Sequence, residues 1–513
     1  MITSVSKYDK KIDSYKIGAL SVDFENGYLR NFRIHDVEML RMIYFCLRDQ
    51  NWETQSHQIQ NVRVSQVNGL EIQFEAVYTK EKKKIFCWQV NISGKLTGEI
   101  SYAIKGKALQ DFDANRVGLC ILHPIKGIAN NEVQVIHSNK QAQGYTYPDL
   151  IAPYQPIIDI TSMRWNHHEY SLRLSMEGDI FEMEDQRNWG DASYKTYCTP
   201  LSLPFPKIIK KGEQIVQSIR FKYSKPGGVG QPSKPATQFE HSTRCKLGID
   251  VQETAKNETL LEKLKCLSLD HLNVQARCDQ TDWIEKLMLQ LDAYIPIGIP
   301  FYITLICTSD YENEITALMQ LVQPYSVSIA YLSLLSSVQM VTHDSIIEMI
   351  PLIKSTLPGT RIGVGTQYNF TEINRFRFHP GQADYITLSF DPQQHASDEI
   401  TLFENTETVI YMAQSIKAIY NRPMHISPVL LKRKFNPYAT DPSKIILTME
   451  EQLDTRLHTD FAAEWLQELF YHISYTEIEV INIFQDTGLM GIVNVDESDF
   501  PVYNIIKKYG TRN

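Results

Sequence analysis

The sequence predicts a multidomain chain of α and β structure, an N-terminal antiparallel β-sandwich followed by a (β/α)8 TIM barrel. Three observations predict it. Over the first 220 or so of the 513 residues, apolar and polar residues alternate around Asn-Gly turns. A tract dense in Pro, Gly and Ser, 224–237, then breaks the pattern as a linker does. Beyond about residue 241, short apolar strands alternate with amphipathic helices. The expected domains are therefore 1–240, ending in that linker, and 241–513.

Each element has its own signal. Val22–Phe32 and Val62–Phe74 alternate around Asn26-Gly27 and Asn68-Gly69, pairs that supply the positive φ angles of a type I′ turn. Further alternating runs stand at Ile85–Ile92, Glu99–Ile104, Val133–His137 and Ile215–Tyr223. Such strands, with few helical stretches between them, imply an antiparallel sandwich. In the second half, eight strand candidates appear: Lys246–Val251, Leu272–Ala276, Phe301–Cys307, Ser326–Leu332, Arg361–Thr366, Tyr385–Phe390, Met424–Pro428 and Glu477–Phe484. Ser309–Glu312 reads as a capping box before Ile315, Leu318, Met319 and Val322 on one helix face. Ser345–Glu348 opens another helix, which Pro351 should kink or restart. Phe461, Trp465, Leu466 and Leu469 form a third apolar stripe.

Composition narrows the function classes. A formal net charge of -9 argues against a nucleic-acid partner, which calls for clustered Lys and Arg. The first residues show no apolar signal region, and no apolar stretch is long enough to span a bilayer. Eight cysteines lie far apart with no C-x-x-C pair, as expected of reduced thiols in a cytoplasmic enzyme. Neither an H-E-x-x-H motif nor an H-x-H on the first barrel strand is present. His167-His168-Glu169 is a poor metal site, since neighbours on a strand point to opposite faces. No metal and no cofactor are expected, and Gly363-Val-Gly365 lacks the context of a phosphate loop. The absence of a G-x-S-x-G elbow disfavours a serine hydrolase.

The densest polar constellation is Gly178–Tyr197. Strand periodicity puts Glu182 and Glu184 on one face, and Asp185, Arg187, Asn188, Trp189 and Asp191 follow at once. A carboxylate there can handle protons, and an Arg or Asn can steady a developing oxyanion; the structural alternative is a polar network that locks a turn. Two weaker clusters contain Asn51 with Trp52 and Asn115 with Arg116. In the barrel, polar groups recur at strand ends, where catalytic groups gather. Asn369 and Glu372 follow strand five, and Asp391, His395 and Asp398 follow strand six. Strand seven gives His425 and Ser427, then Arg433, and strand eight ends in Gln485 with Asp486. His395 and Asp398, three apart at a helix start, are expected to share a face and hydrogen-bond.

These residues resemble the D-apionate lactonases. Arg48–Trp52, Asn115–Pro124 and Gly178–Tyr197 resemble their N-terminal domain; Asn369–Asn374, Pro392–Asp398, Asn436–Thr440 and Thr487-Gly488 resemble their barrel. The resemblance runs from about residue 20 to the C-terminus. It implies hydrolysis of D-apionolactone to D-apionate in the catabolism of the branched sugar apiose. The sequence departs from the family pattern at strand eight, where Gln485 and Asp486 stand in place of a Glu before Thr-Thr-Gly. It also stops soon after Tyr503–Lys508, where the family often carries a further small β domain.

Opening a lactone needs a base for water, donors for the tetrahedral oxyanion and an acid for the ring alkoxide. The expected catalytic set is His395 as base, Asp398 (or Asp391) holding its tautomer, Arg187 on the oxyanion or product carboxylate, and Glu182 or Asp185 as acid. The expected substrate-binding set is Asn51, Trp52, Arg116, Asn188, Trp189, Asn369, Glu372, Gln485 and Asp486. The Glu182–Trp189 segment is expected to reach the strand ends that carry His395 and Asp398. The partner expected is a small sugar lactone, with neither nucleic acid nor membrane. A glycoside hydrolase of similar architecture is the competing enzyme reading, weakened by the missing Glu at Tyr331–Ser337. A non-catalytic sugar-acid binding protein gains from Gln485 in place of an acid.

Overall fold

The computed structural model describes residues 12–225, 244–252 and 258–510. Most of the expected linker, 226–237, lies outside the described residues. Two compact units emerge: Met1–Gln186, Ala192–Gln238 and Tyr438–Ile445 form the first, and Arg187–Asp191, Phe239–Pro437 and Ile446–Asn513 the second.

The first unit consists of two nine-stranded sheets with antiparallel pairings throughout. One sheet runs Asp13–Ile17, Leu20–Glu25, Tyr28–Ile34, Val37–Asp49, Phe112–Pro124, Ser193–Cys198, Phe181–Asp185 and Ile157–Ile160, with Lys207–Ile209 also on Phe112–Pro124. The other runs from one edge through His57–Ser65, Leu70–Lys80, Lys83–Lys95, Glu99–Ala108, Gln214–Ser224, Tyr170–Glu177, Ser162–His167, Glu132–Ile136 and Ala142–Thr146. Rings from the two sheets meet edge to face, Phe32 with Phe221 at 5.5 Å and Phe24 with Phe74 at 5.6 Å. Burying each such ring contributes about 1.5–3 kcal/mol, which is why strand alternation specifies a sandwich. Asn26 and Gly27 take φ of 48° and 91°, as a tight hairpin turn requires. At Asn68-Gly69 the expected two-residue turn is replaced by a longer loop between Ser65 and Leu70, in which Gly69 has positive φ and Asn68 does not.

The second unit is a closed barrel of eight parallel strands, numbered here along the barrel. They are β1 (Lys246–Asp250), β2 (His271–Arg277), β3 (Phe301–Cys307), β4 (Ile329–Ser336), β5 (Arg361–Gly365), β6 (Tyr385–Phe390), β7 (Met424–Val429) and β8 (Ile478–Thr487). Closure is made by β1 on β8, with Leu247 opposite Ile481. β4 begins three residues later than expected, because a 3-10 turn over Gln323–Ser328, opened by Pro324, consumes the residues before it. The expected capping box at Ser309 is not formed. Helix Tyr311–Val322 starts after Asp310, and Glu314 turns back to accept from the backbone N–H and hydroxyl of Thr308. Pro351 sits in the first turn of a new helix, Ile350–Thr356, after Asp344–Glu348 ends.

The lower, N-terminal end of the barrel is filled. His271, Tyr302, Tyr331, Tyr385 and His425 form a buried layer, with Tyr385 and His425 stacked at 3.6 Å. Burial holds His271 down at about 4 and His425 well below its ordinary value, so both imidazoles are neutral packing groups. The open end is therefore the C-terminal mouth, where the loops gather.

Candidate active site

A cavity of about 510 Å³ lies at that mouth. Its wall comes from strand ends: Gln275 and Arg277 of β2, Thr304 and Ile306 of β3, Leu335 of β4, Ser389 of β6 with Asp391 beyond it, Ser427 of β7 and Gln485 of β8. Gln367, Tyr368 and Asn369 follow β5, and Arg433, Lys434 and Phe435 follow β7. Tyr368 and Phe435 meet edge to face at 5.3 Å and, with Pro437, Ile446 and Met449, give one side an apolar character. An apolar wall facing convergent polar groups is the make-up of a small-molecule site.

Three cations line the cavity, each held by a neighbour. Arg277 is forked onto Asp279, at 3.1 and 2.7 Å, and reaches Gln367 Oε1 at 3.2 Å. Arg433 Nη1 donates to Gln394 Oε1 at 3.4 Å. Lys434 Nζ stands 4.0 Å from Asp250, whose oxygens also accept from Asn273 at 2.6 Å and Gln275 at 3.2 Å. Burial lowers Lys434 and raises Asp250, each opposed by the partner's charge.

Asp391 is a cavity carboxyl chemically able to move protons. It lines the cavity yet is buried, accepting from Gln393 N at 3.2 Å and Gln394 Nε2 at 2.8 Å. Burial pushes it up to about 6, against the pull of Gln394 and Arg433. A carboxyl at that level is ionised at neutral pH and is more basic than an exposed one.

Beside the β6 loop stands the five-residue segment Arg187–Asp191, part of the barrel unit. Asn188 O accepts from Thr371 Oγ1 at 2.7 Å, and Asn188 Oδ1 accepts from Asn374 Nδ2 at 2.9 Å. Arg187 is fully buried with its guanidinium 5.1 Å from the Tyr411 ring centre. Trp189 meets His395 edge to face at 5.9 Å, with Arg375 at 5.2 Å over its ring. Asp191 receives His395 Nδ1 at 2.5 Å and Asn405 Nδ2 at 3.1 Å. The carboxylate that orients His395 is thus Asp191. Asp398 caps helix Glu399–Asn405, accepting from the backbone N–H and hydroxyl of Thr401 at 3.0 and 2.8 Å.

Of the other expected site residues, Asn369 and Gln485 line the cavity. Asp486, one residue further along β8, points the other way and is fully buried. It accepts from the Tyr294 hydroxyl and from Gln252 N, and burial pushes it up to about 6. Glu372 is buried in helix Phe370–Arg375. In the first unit, Glu182 accepts from Tyr197 OH at 2.6 Å and Leu201 N at 2.7 Å, and Asp185 from Ala152 N at 3.0 Å. Asn51 Oδ1 accepts from Asp441 N at 3.1 Å, while Trp52 and Arg116 pack together at 5.1 Å. Sequence reasoning missed Arg277, Lys434 and Asp250; a polar residue at or just beyond a strand end is the signal they share.

Among the described residues, no group of three or more His, Cys, Asp or Glu side chains is placed to hold a metal ion. No helix among them is long and apolar enough to cross a membrane.

A closed barrel with a buried carboxyl and three cations at its C-terminal mouth, on a chain that also carries a β-sandwich, has the make-up of a TIM-barrel enzyme site. Residues 2–226 match the D-apionate lactonase N-terminal domain, and residues 245–512 match the D-apionate lactonase TIM barrel domain. The chain belongs to the D-apionate lactonase family, and is a lactonase-type hydrolase. It is 29% identical over 454 residues to a D-apionate lactonase of Brucella anthropi, covering 83% of this chain and 74% of that one. Among solved structures, an active-site mutant of a Rhizomucor miehei beta-1,3-glucanosyltransferase is similar at 14% identity and TM-score 0.34, over 50% of this chain and 96% of that one. A galactose 1-epimerase from Lactobacillus acidophilus is similar at 7% identity and TM-score 0.29, over 42% and 97%. Neither likeness bears on activity.

Proposed function

We propose that the protein hydrolyses D-apionolactone to D-apionate in the barrel-mouth cavity, without a metal ion, in the cytoplasmic catabolism of apiose. The observation that carries this reading is Asp391, a buried carboxyl on the cavity wall that burial pushes up to about 6. In the proposed reaction its carboxylate takes a proton from water as the oxygen attacks the lactone carbonyl. Arg433, Arg277 or Lys434 steadies the oxyanion, and Asp391 returns the proton to the ring alkoxide as the C–O bond breaks. Water and lactone are consumed, a hydroxy acid is formed, and its ionisation releases one proton to solvent.

His395 remains in the proposal as a second proton carrier, oriented by Asp191 through Nδ1 so that Nε2 is the exchanging nitrogen. Arg187 is reassigned as a positioning residue for the Arg187–Asp191 segment, since it is wholly buried against Tyr411. Glu182 and Asp185 already accept from donors of their own unit, Tyr197 and Leu201 for the first and Ala152 for the second, and neither is given the acid role here.

The glycoside-hydrolase reading finds less support. The carboxyl groups lining the cavity are Asp279 and Asp391, and Asp279 is forked onto Arg277. The binding-protein reading draws on Gln485, which lines the cavity where the family pattern has an acid. Acid release measured with a pH indicator across aldonolactones and aryl glycosides separates all three. Release from five-membered aldonolactones alone supports the proposal, release of aryl alcohols supports the second, and binding without turnover the third.

A further inference from the structure

Arg116 lies on strand Phe112–Pro124 opposite Arg48, where the ladder slips by one residue at Asn115. Such a bulge re-aims the side chains beside it. The Arg116 side chain is buried, with 6% of the residue exposed, and its Nη1 donates to Asn115 O at 2.5 Å. Its Nε and Nη2 are buried and meet no acceptor among the described residues. These two nitrogens form one edge of the guanidinium, the fork whose parallel N–H bonds match a carboxylate. Nearby acids are engaged elsewhere: Glu182 with Tyr197 and Leu201, and Glu184 with Lys195 at 3.0 Å. Charged donors buried without a protein acceptor are costly, and their retention points to a ligand that matches them.

The surroundings define that ligand. Trp52 and Phe205 place their ring centres 5.1 and 5.6 Å from the guanidinium carbon and meet each other edge to face. Trp52 holds φ of 65°, unusual for a bulky residue, with its carbonyl bound by Arg48 Nη1 at 3.0 Å. Phe205 is 44% exposed, so the cluster opens to water on that side. Asn115 Oδ1, on the adjoining residue, is likewise buried with no donor among the described residues and can accept from a hydroxyl. Aromatic faces suit the C–H side of a sugar, the fork suits a carboxylate, and the amide oxygen suits a hydroxyl.

We propose that Arg116, flanked by Trp52 and Phe205, is a binding site for the carboxylate of a small sugar acid, the class to which the product of the proposed reaction belongs. The choice of sugar acid rests on the hydrolytic reading above; the preference for an oxyanion over a hydroxymethyl group rests on the fork, and that for a sugar acid over bare phosphate on the Trp52 and Phe205 rings.

Calorimetric titration of the full chain tests this with sodium D-apionate, D-apiitol (a hydroxymethyl group for the carboxylate) and inorganic phosphate. D-apionate should bind at least about 10-fold more tightly than D-apiitol, and phosphate should not displace it. Arg116→Gln, and Arg116→Lys, which keeps the charge without the fork, should each weaken D-apionate by about 10- to 100-fold. Phe205→Ala, at a half-exposed ring, should weaken it several-fold and decides the matter if neither Arg116 variant folds. Equal affinity in wild type and a folded Arg116 variant overturns the proposal. So does wild-type affinity in Phe205→Ala, equal binding of D-apiitol, or displacement by phosphate. Lactone hydrolysis measured on the same wild-type preparation separates the two readings. Hydrolysis with no fork-dependent binding sinks only the Arg116 site, and fork-dependent binding without hydrolysis sinks only the proposed function.

Discussion

His395 Nδ1 stands 2.5 Å from a carboxylate oxygen of Asp191, a residue 204 positions earlier in the chain. Both side chains are largely buried, and Asn405 holds the second Asp191 oxygen at 3.1 Å. The imidazole is therefore oriented by a segment that strand order inserts between Phe181–Asp185 and Ser193–Cys198.

Asp191→Asn should destabilise the protein by about 1.5–3 kcal/mol, the worth of a buried charge-assisted hydrogen bond. His395→Gln should cost a similar amount, and the double variant less than the sum, since the two groups share one interaction. Denaturant unfolding of the four proteins checks this; strict additivity would mean that the pair does not interact in solution. His395→Ala, if folded, should lose on the order of 10²-fold in kcat.

In the proposed reaction Asp391 sets the pH profile. Its carboxyl, pushed up to about 6 by burial, must be ionised to accept a proton from water. kcat/KM should therefore fall about tenfold per pH unit below about 6 and level off above it. Asp391→Asn should remove that limb along with most of the activity. A flat profile between pH 5 and 7, taken as roughly the window of a raised carboxyl, would show that another group is the base.

Much of this arrangement is legible in the sequence where local chemistry decides it. Asn26-Gly27 forms its turn because only residues tolerant of positive φ fit there, and β3 and β6 start and end where their apolar runs do. β4 was displaced because Pro324 opens a 3-10 turn that periodicity does not reveal. In the site, Asn369, Asp391 and Gln485 were visible as polar residues at or just beyond strand ends. Asp398 precedes Thr401 by the spacing of a helix cap and caps that helix, a local role the expected pairing with His395 overlooked. Arg277 and Lys434 escaped notice because their place on a common cavity depends on barrel closure. The partnership of Asp191 with His395 spans too much chain for any spacing rule.

Gly190 has φ of 89°, and a Cβ there would approach the Asp391 carbonyl oxygen at 3.0 Å. Gly190→Ala should cost about 1–2 kcal/mol in backbone strain and disturb the proton-carrying loop as well. Its kcat should drop further than that of a surface variant matched in melting temperature. Activity unchanged in a destabilised Gly190→Ala protein would separate the segment from the chemistry.

Asp486 supplies a stability test. Burial raises it to about 6 from an ordinary value of 3.8, so the folded chain holds this proton more tightly than the unfolded chain. Its contribution to stability is present below about pH 4 and is lost as pH rises through about 6. Asp486→Asn cannot titrate, so relative to wild type it should gain up to about 3 kcal/mol between pH 4 and 7. Loss of the bonds from Tyr294 and Gln252 adds an offset that does not vary with pH over this range. A constant stability difference across the range would place a charged, solvated Asp486 in the folded state.

Acid release from D-apionolactone by chelator-treated protein, followed in a pH-stat beside Asp391→Asn, decides whether the barrel mouth opens the lactone without a metal ion. One equivalent of acid per lactone is expected, at a rate unchanged by the chelator, with the Asp391→Asn protein slower by on the order of 10²-fold or more. No acid release from the lactone, activity that returns only with an added divalent metal, or a fully active Asp391→Asn protein would contradict it.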